Sequence, residues 1–516
     1  MDLFKKRDES YIEYRDRVLN SKSESFCGAK WYNATVWLGN GTTASCHHPP
    51  AHKIPLDELE KSYKALHNTS YKKLVREQMI VGEKPKECDY CWKIEGLGKD
   101  KVSDRIYKSV IYSEDDLMKA VNKYGSTEDV DLQTLEIAFD ALCNFACSYC
   151  NASFSTKWQN DIKMDGPYQN LVSDGAGAFK QDGSWAQPYG IENTDSPYIA
   201  AFWKWWENDL QHSLRELRVT GGEATMSPSF WKLVDWWLEH PECKVRFAVN
   251  SNLGNTQLVK RLYQASHSFK HFDLYTSCEA FGIQAEYIRD GLVWDEWLKN
   301  LNDIIEFGNV RTSNIMMTIN ALCLFSICEF MDEMLKLKSK FGKHHCMMSF
   351  NILRFPSFQS PTTLPQEIRH ERANVLEAWL EKNKNNKLLA EIEKDSIIRL
   401  IAYLREIEQG HNHVSSMESR VRDFKTFHVQ YDKRRDKNFR KAFPTLVEWF
   451  DSIPETNTAK LEILIDGDSS KQMPYVEELK ERATKEGWVL KPKSANPGSQ
   501  EYEQELENES KARRRE

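Results

Sequence analysis

Apolar and polar residues alternate with two different periods along the middle of the chain, from about residue 130 to residue 355. Short apolar runs that are rich in β-branched and aromatic residues predict buried parallel strands. They cover residues 135–140, 216–223, 245–252, 272–279, 314–322 and 346–353. Helical patterns lie between them, so the sequence predicts six β/α repeats. Such repeats form a parallel sheet with helices outside, either open or curled into a partial barrel.

One predicted crossover helix, within residues 227–240, shows a single apolar face. Its apolar residues follow the spacing i, i+3, i+4, i+7 and i+8, which places them on one side of a helix. They are Phe230, Leu233, Val234, Trp237 and Leu238. Ser227 or Ser229 is the expected N-cap. We expect this face to pack against the sheet.

The segments around the repeats have other compositions. Residues 1–125 lack the alternation, and residues 356–495 are mostly helical in pattern, with a small β-α-β unit near 461–491. Residues 496–516 form a polar, charge-blocked end, which we expect to be a solvated tail. Residues 151–197 are rich in Gly, Asp and aromatic residues, and a loop of this length is either functional, such as a lid, or a plain surface insertion.

Composition limits the class of protein. The chain has 516 residues, of which 40% are hydrophobic and 28% charged, with a net charge of −7. These values argue against wholesale disorder and against a large nucleic-acid footprint. The start is charged without an apolar core, and no run of eighteen apolar residues occurs, so we expect a cytoplasmic protein with no membrane span. In that compartment the twelve cysteines are expected to act as thiolates rather than as disulfides.

Three cysteines directly follow the first predicted strand, where ligands of parallel sheets bind. Cys143, Cys147 and Cys150 have the spacing C-x3-C-x2-C. Structural zinc requires four ligands, and a disulfide requires two at a separation that such close neighbours rarely reach. Three thiolates on a cubane [4Fe–4S] cluster leave one iron open. An amino acid could chelate that iron through its amine and carboxylate.

The triplet and the end of the second strand together resemble radical S-adenosylmethionine (SAM) enzymes. The triplet includes Tyr149 before its last cysteine, and Gly221, Gly222 and Glu223 match the Gly-Gly-Glu motif of that family. The resemblance implies a partial (β/α)6 barrel over residues 130–355. It also implies that SAM binds the open iron and that one electron cleaves it to methionine and a 5′-deoxyadenosyl radical, which abstracts hydrogen from a substrate. Tyr149 would then lie against the adenine, and Glu223 would hold the SAM ammonium.

Further residues match the family more loosely. Ser251 and Asn252 occupy the place of its Thr-Asn pair. Ser277 resembles the serine of its Ser-Leu-Asp segment, in which Glu279 replaces the aspartate. Arg289 resembles an arginine that pairs with the SAM carboxylate, a task that suits a guanidinium fork. Each of these residues could instead be an ordinary polar residue at a strand end.

A second cysteine group lies in the N-terminal region. Cys27, Cys46, Cys88 and Cys91, with Gly41, have the pattern C-x13-G-x4-C…C-x2-C. This pattern resembles the auxiliary-cluster motif of SPASM and twitch domains, and implies a second [4Fe–4S] cluster with all irons ligated. Structural zinc is the alternative, because four cysteines suit it equally. Here the motif precedes the core, an order that resembles a group of bacterial and phage twitch-domain proteins.

The other candidate ligands are expected to have minor roles. His47, His48 and His52 follow Cys46, and we expect them to surround the metal site or lie at the surface, because the thiolate set is already complete. The remaining cysteines are expected to be small buried hydrophobic residues. They are Cys243, Cys278, Cys323, Cys328 and Cys346.

The sequence therefore predicts a radical SAM oxidoreductase or modifying enzyme. Relatives of this kind often modify peptides, so the first expectation is a peptide or protein side chain as substrate, with an electron donor such as flavodoxin or ferredoxin and no nucleic-acid partner. One alternative is radical modification of a nucleotide or RNA. The only compact basic run with an aromatic residue is 432–441, and such runs are usually solvated helix faces. Another alternative is a non-catalytic zinc-binding protein, which leaves the triplet and the Gly-Gly-Glu motif unexplained.

Overall fold

The computed structural model describes residues 3–189, 196–406 and 415–454, and two strands beyond them. The strands are β1 (Asn33–Trp37), β2 (Thr42–Ala44), β3 (His52–Lys53), β4 (Thr134–Ala138), β5 (Ala146–Cys147), β6 (Glu216–Thr220), β7 (Arg246–Ser251), β8 (Phe272–Ser277), β9 (Arg289–Asp290), β10 (Thr312–Ile319), β11 (Met347–Ile352), β12 (Glu462–Asp466) and β13 (Val489–Lys493).

The α-helices cover more of the described chain than the strands do. They are α1 (Tyr11–Tyr14), α2 (Ala29–Tyr32), α3 (Leu56–Lys61), α4 (Ser70–Ile80), α5 (Asp89–Gly96), α6 (Asp104–Ser109), α7 (Glu114–Lys119), α8 (Thr156–Asp165), α9 (Pro197–Trp205), α10 (Gln211–Ser213), α11 (Pro228–Glu239), α12 (Thr256–Ala265), α13 (Gly282–Ile288), α14 (Trp294–Phe307), α15 (Ile327–Phe341), α16 (Gln366–Asn383), α17 (Glu391–Glu406), α18 (Met417–Arg435), α19 (Phe439–Ala442) and α20 (Val447–Ser452). Within the described residues, no helix has the length and apolar character needed to cross a membrane.

The main sheet contains all six strands that the sequence predicts. Its order is β11-β10-β8-β7-β6-β4-β1-β2-β3, and the strands from β4 to β11 pair in parallel in chain order. Successive crossovers therefore run in one direction and place their helices on one face. In the described residues the edge strands β11 and β3 do not pair with each other, so the sheet is open and forms no closed barrel.

The N-terminal region adds a strand that the sequence analysis did not find. Strand β1 pairs in parallel with β4, with Thr35 opposite Glu136, and β2 and β3 extend the same sheet in antiparallel fashion. Gly41 lies in the turn between β1 and β2 at φ +66°, and a Cβ there would lie 2.0 Å from the ring of Tyr198. Only glycine fits this turn. The N-terminal region and the core therefore share one sheet.

The two faces of the sheet differ in character. On β10, Ile315 and Met317 are buried on the face covered by the crossover helices, whereas Asn314, Met316 and Thr318 are half-buried on the opposite, concave face. Burying such an apolar side chain contributes about 1.5–3 kcal/mol. The alternation therefore fixes which face is packed and leaves a largely polar inner face.

The predicted apolar face of helix α11 is wrong at one position. Phe230, Leu233, Val234 and Trp237 are buried, but Leu238 is 45% exposed. Trp231 is buried in its place, because helix α11 presents a broader side to the sheet than the predicted stripe. Ser227 is at the N-cap position, and its hydroxyl donates to Asp140 instead of to the helix.

Charged residues of alternating sign cross the inner face. Arg218 on β6 is 3.7 Å from Glu136 on β4 and 3.3 Å from Glu216. Arg246 on β7 is 3.1 Å from Glu216 and 3.9 Å from Asp273 on β8. We call these residues the ion-pair ladder. It joins neighbouring strands away from their carboxyl ends, so the carboxyl ends remain available for a site.

The described part of residues 151–197 contains a helix that the sequence analysis did not predict. Their first part forms helix α8, because Ser155 caps it through the backbone N–H of Trp158. Asp161 of α8 lies 3.5 Å from Arg434 and 3.2 Å from Arg435, at the end of α18. The two arginine side chains are only 10% and 6% exposed, so for these two residues the expectation of a solvated basic helix face is wrong. These buried charges instead anchor the C-terminal helix to the core.

The far C-terminal region contains the two predicted strands. β12 and β13 pair in parallel, as in a β-α-β unit, with Glu462 opposite Val489. The segment between them and the predicted tail 496–516 lie outside the described residues.

Candidate functional site

The cysteine triplet lies at the carboxyl end of β4, in the loop that leads to α8. Cys147 belongs to the short strand β5, which pairs with β9 so that Cys147 is opposite Arg289. The three cysteines line one cavity of about 180 Å³. All predicted cofactor-binding residues except Glu223 line the same cavity. They are Tyr149, Gly221, Gly222, Ser251, Asn252, Ser277 and Arg289.

The two glycines allow the end of β6 to pass directly over the triplet loop. A Cβ on Gly222 would lie 2.4 Å from the carbonyl oxygen of Leu142, and one on Gly221 would lie 2.9 Å from that of Asp140. Gly221 also has φ +141°, which other residues rarely adopt. The backbone N–H of Glu223 donates to the Leu142 carbonyl at 2.6 Å. Replacement of either glycine would push the two segments apart.

Glu223 lies behind the cavity wall, with 2% of its surface exposed. Its carboxylate accepts hydrogen bonds from the Ser251 hydroxyl at 2.8 Å, the Asn252 backbone N–H at 2.5 Å and the Thr225 hydroxyl at 2.6 Å. Burial raises the pKa of Glu223, and these donors oppose the shift. Two of the donors belong to Ser251 and Asn252, so the predicted residues of β6 and β7 form one hydrogen-bonded group.

Arg289 has a protein partner that the sequence analysis did not assign. Its guanidinium donates to the Glu279 carboxylate at 2.6 Å, and the Tyr149 hydroxyl donates to the same carboxylate at 3.1 Å. Another guanidinium nitrogen lies 3.8 Å from the sulfur of Cys147. Burial lowers the pKa of Arg289 and the charge of Glu279 raises it, with a net upward shift. The role of Arg289 toward a SAM carboxylate stays a prediction.

The cavity also contains residues that the motifs did not indicate. They are Phe145, Phe154, Thr220, Asn250 and Thr318. Asn250 and Thr318 could have been found from the sequence, because the alternation along the predicted strands places both on the inner face near the carboxyl ends. Phe145 and Phe154 lie in the triplet loop and just after it, where no periodicity exists to place them.

The second cysteine group also lines a single cavity, with a free volume of about 20 Å³. Cys27 precedes α2, Cys46 follows β2, and Cys88 and Cys91 lie just before and within α5. Cys27, Cys88 and Cys91 are buried, and Cys46 is half-buried. Four segments that are distant in sequence therefore bring their thiols to one place.

Buried cations lie beneath this second site. Lys30 lines the cavity and pairs with Glu87. Lys72 donates to the Thr43 hydroxyl at 2.7 Å, and Arg76 donates to the Asn68 side-chain oxygen at 3.0 Å. In the described part of the chain, no carboxylate pairs with Lys72 or Arg76.

Isolated buried charges are costly. Asp129 and Tyr32 act on Arg76, whereas Glu87 and Cys46 act on Lys72, so only Lys72 is coupled to the thiol site. Burial, followed by the charges of Arg76 and Lys30, lowers the pKa of Lys72. Four thiolates on a metal would supply the negative charge nearby.

Two of the three histidines contact one carboxylate. His48 and His47 place Nε2 at 2.8 Å and 3.3 Å from an Asp104 carboxylate oxygen. Among the described residues, this is the only group of three potential ligands whose binding atoms lie within 4.8 Å of one another. His48 also lines the cavity, whereas His52 bonds the Thr69 hydroxyl at 2.9 Å.

Burial keeps Cys143, Cys88 and Cys91 protonated in the absence of a cation. It raises the pKa of Cys143, Cys88 and Cys91 to about 12, and the neighbouring cysteines add to the shift. A thiol with such a pKa ionises only when a metal replaces its proton. Clustered thiols that are both buried and convergent are therefore the donor set of a metal–thiolate centre, and both sites fit one.

The remaining cysteines lie away from both sites. Cys243, Cys278, Cys323 and Cys346 are buried, as predicted, and Cys328 is half-buried. All twelve cysteines are free thiols.

No family model matches the chain, and no curated protein matches it either. Solved structures do match. Streptococcus suis SuiB bound to precursor peptide SuiA is 12% identical over 69% of this chain and 70% of that chain, with a TM-score of 0.31. SuiB bound to S-adenosylmethionine is 12% identical over 68% of this chain and 69% of that chain, with a TM-score of 0.30.

A third solved structure, anSMEcpe with bound AdoMet, is 14% identical over 49% of this chain, with a TM-score of 0.28. The match covers 61% of that protein, which is less than two thirds of its length. At these TM-scores the likeness carries no argument about the function of this chain.

Proposed function

We propose that the chain is a radical SAM enzyme whose reaction takes place in the cavity lined by Cys143, Cys147 and Cys150. The observation that carries this proposal is the convergence of the three thiols with the Gly221–Gly222 turn and with Ser251, Asn252, Ser277 and Arg289 around one cavity. A zinc-binding protein without catalysis has no use for that cavity.

Cys143, Cys147 and Cys150 would supply three ligands of a [4Fe–4S] cluster and would leave one iron open to SAM. When bound there, the cluster supplies the electron that cleaves SAM to methionine and a 5′-deoxyadenosyl radical. Glu223 would hold the SAM ammonium once its carboxylate turns from its hydrogen bonds with Ser251 and Asn252 toward the cavity. The Gly221–Gly222 backbone offers a wall without side chains, against which a ligand can lie closely.

Tyr149 and Arg289 complete one side of the cavity through Glu279. The Arg289 guanidinium faces the sulfur of Cys147 at 3.8 Å, so it would place positive charge beside a thiolate. Positive charge there stabilises the added negative charge of a reduced centre.

The second site would hold an auxiliary metal centre, and we favour a [4Fe–4S] cluster over zinc. Zn–S bonds of about 2.3 Å place tetrahedral thiolates about 3.8 Å apart. In the described residues, no three of the four sulfurs lie within 4.8 Å of one another. The small free volume of about 20 Å³ points the other way, toward a single ion. We give the sulfur separations more weight, because they concern the ligand atoms themselves.

The proposed substrate is a peptide or protein side chain. The run 432–441 lends no support to an RNA substrate, because Arg434 and Arg435 are committed to Asp161 within the protein. The proposal includes an electron donor such as flavodoxin or ferredoxin. It also places the protein in the cytoplasm, since twelve free thiols suit a reducing compartment.

The test is anaerobic incubation of the iron-loaded, reduced protein with SAM, followed by measurement of 5′-deoxyadenosine and methionine. We expect equal amounts of both products, formed slowly without substrate. If iron-loaded protein gives neither product with chemical or protein reductants, the proposal fails.

A further inference from the structure

A second cavity lies beside the proposed SAM cavity, and the proposed function gives it no role. Its volume is about 200 Å³. It shares four wall residues with the SAM cavity, namely Phe154, Thr220, Gly221 and Gly222. A group bound in it would therefore lie next to the place where the radical is proposed to form. We call it the adjacent cavity.

The adjacent cavity has three aromatic walls. Trp37 lies at the end of β1, Phe154 follows the triplet, and Trp185 lies in the segment after α8. Phe154 is 50% exposed and Trp185 is 54% exposed, so both present ring surface to a ligand. Exposed aromatic groups that gather at one cavity indicate a binding surface more strongly than scattered ones do.

The charged side chains that line the adjacent cavity are both carboxylic acids, Glu136 and Asp140. In the described part of the chain, no lysine or arginine lines it. Asp140 is committed to the protein, because it accepts hydrogen bonds from the Ser227 hydroxyl and the Leu142 backbone N–H. Burial also raises the pKa of Asp140 to about 6.

Glu136, unlike Asp140, has no close hydrogen-bond donor among the described residues, so its carboxylate can still bind a ligand. Its nearest cation, Arg218, is 3.7 Å away and is closer to Glu216, at 3.3 Å. The Arg218 guanidinium also lies over the ring of Tyr275, 4.1 Å from its centroid. Glu136 is thus the outer end of the ion-pair ladder. Its side chain lines the cavity and is 36% exposed, so the carboxylate is accessible to a ligand.

We propose that the adjacent cavity binds a cationic group of the substrate, an ammonium or guanidinium, between the aromatic rings and Glu136. Aromatic faces attract cations through the ring quadrupole, and indole rings do so most strongly. A carboxylate at the base of such a cavity adds a charge-assisted hydrogen bond. Among the described residues the walls offer a phosphate no cation and present two carboxylic acids, so the same lining disfavours a nucleotide.

This inference rests on the proposed function for its meaning, since it identifies the substrate of that reaction as a lysine-like or arginine-like side chain. The binding itself can be measured without any reaction. The two claims can therefore fail separately.

The experiment uses three capped amino acids as probes: the Nα-acetyl N-methylamides of lysine, arginine and norleucine. Norleucine has the chain of lysine without the charge. Binding to the full-length, iron-loaded protein with SAM is measured by saturation-transfer NMR under anaerobic conditions. We expect the lysine or arginine probe to bind about tenfold more tightly than norleucine, the range of a cation–π contact with a carboxylate nearby. The stronger of the two probes identifies the cationic group.

The variants Glu136→Gln and Trp185→Ala should abolish this preference, while norleucine binding changes little in Glu136→Gln. Glu216→Gln is the matched control, because it also neutralises a partner of Arg218 but lies outside the cavity. It should keep the preference. Trp185 is exposed, so its replacement should not disturb folding, which circular dichroism checks.

Equal binding of charged and neutral probes to wild type would overturn the inference. So would a preference that survives in Glu136→Gln and Trp185→Ala. SAM cleavage by wild type is measured in parallel. If cleavage is present and the preference absent, the inference alone fails. If the preference is present and cleavage absent, the proposed function fails and the cation site stands.

Discussion

The two thiol sites of this chain differ in openness and in the charge around them. The triplet site has a cavity of about 180 Å³ and glycine walls, and the charges at it are paired as Arg289 with Glu279. The N-terminal site has about 20 Å³, and beneath it lie Lys72 and Arg76 without carboxylate partners among the described residues.

Three thiols around a large cavity suit a metal centre that binds a ligand. Four thiols around a small cavity suit a saturated centre. Under the proposed function, buried Lys30 and Lys72 would compensate the net negative charge of a fully thiolate-bound metal. Substrate chemistry would then take place at the triplet, and the N-terminal site would serve structure or electron transfer.

The largest expected difference concerns loss of a triplet ligand. Cys147→Ala should abolish SAM cleavage, because Cys147 is one of the three proposed ligands. Apart from the triplet itself, none of the described residues that line the cavity is a cysteine that could replace it. Iron should fall from about eight to about four per chain if both centres are [4Fe–4S] clusters. Cys328→Ala, a half-buried cysteine outside both sites, is the control and should change neither quantity. Full cleavage by Cys147→Ala would remove the distinction between the sites.

Loss of a cysteine from the N-terminal site should affect folding more than SAM cleavage. Cys88→Ala should leave residual SAM cleavage but make residues 1–125 sensitive to limited proteolysis, because the four thiols are contributed by separate segments that the metal joins. Chelation of the metal from wild type should have the same effect on the proteolysis pattern. If the N-terminal region of Cys88→Ala resists protease as wild type does, the metal has no structural role there.

Metal analysis sharpens the assignment of the second site. About four irons plus one zinc in wild type would replace the auxiliary cluster with zinc, and would leave the triplet assignment unchanged.

Much of the triplet site, which we call the open site, could be predicted from the sequence, because its residues lie in or directly after predicted strands. The strands that carry it have apolar runs, the triplet directly follows one of them, and Gly221–Gly222–Glu223 directly follows the next. What could not be predicted depends on distant pairing. Arg289 meets Glu279 beside Cys147 because β5 pairs with β9, a contact between segments 142 residues apart.

The N-terminal site, which we call the closed site, was harder to predict because its parts come from segments that are distant in sequence. Its cysteine spacing was visible, but the cations beneath it are contributed by α2 and α4, which have no charge pattern that points to a common centre. Strand β1 was also missed, because a run of five residues in a region without alternation gives too weak a signal. Its place beside β4 is fixed by the sheet rather than by local sequence.

A smaller effect is expected for the carboxylate of the open site. Glu223→Gln should weaken SAM binding by about 1.5–3 kcal/mol, or about ten- to a hundredfold, through loss of a charge-assisted hydrogen bond. Because burial raises the pKa of Glu223, SAM affinity should fall on the acid side at a higher pH than an ordinary glutamate would give. Protonation removes the charge that holds the ammonium.

Isothermal titration across a pH series measures both effects of Glu223. Glu239→Gln, at the exposed end of α11, is the control and should retain the wild-type affinity and pH dependence. An affinity of Glu223→Gln equal to wild type at neutral pH would exclude this residue from SAM binding.

The smallest expected effect concerns the cations of the closed site. Lys72→Met removes a buried cation whose charge interacts with Cys46. The auxiliary metal should then be lost several times faster to a chelator, and the reduction potential of that centre should fall. Lys73→Met is the matched neighbour, because Lys73 pairs with Asp129 at 2.7 Å. If the two variants lose the metal at the same rate and have the same reduction potential, the charge of Lys72 does not act on the metal.

The most direct test of the division between an open and a closed centre is electron paramagnetic resonance of the reduced protein with and without SAM. Cys88→Ala retains only the triplet centre, and Cys147→Ala retains only the auxiliary centre. SAM should change the spectrum of Cys88→Ala, because it binds the open iron, and leave that of Cys147→Ala unchanged. A spectrum of Cys88→Ala that is insensitive to saturating SAM, or a SAM-dependent change in Cys147→Ala, would contradict the account.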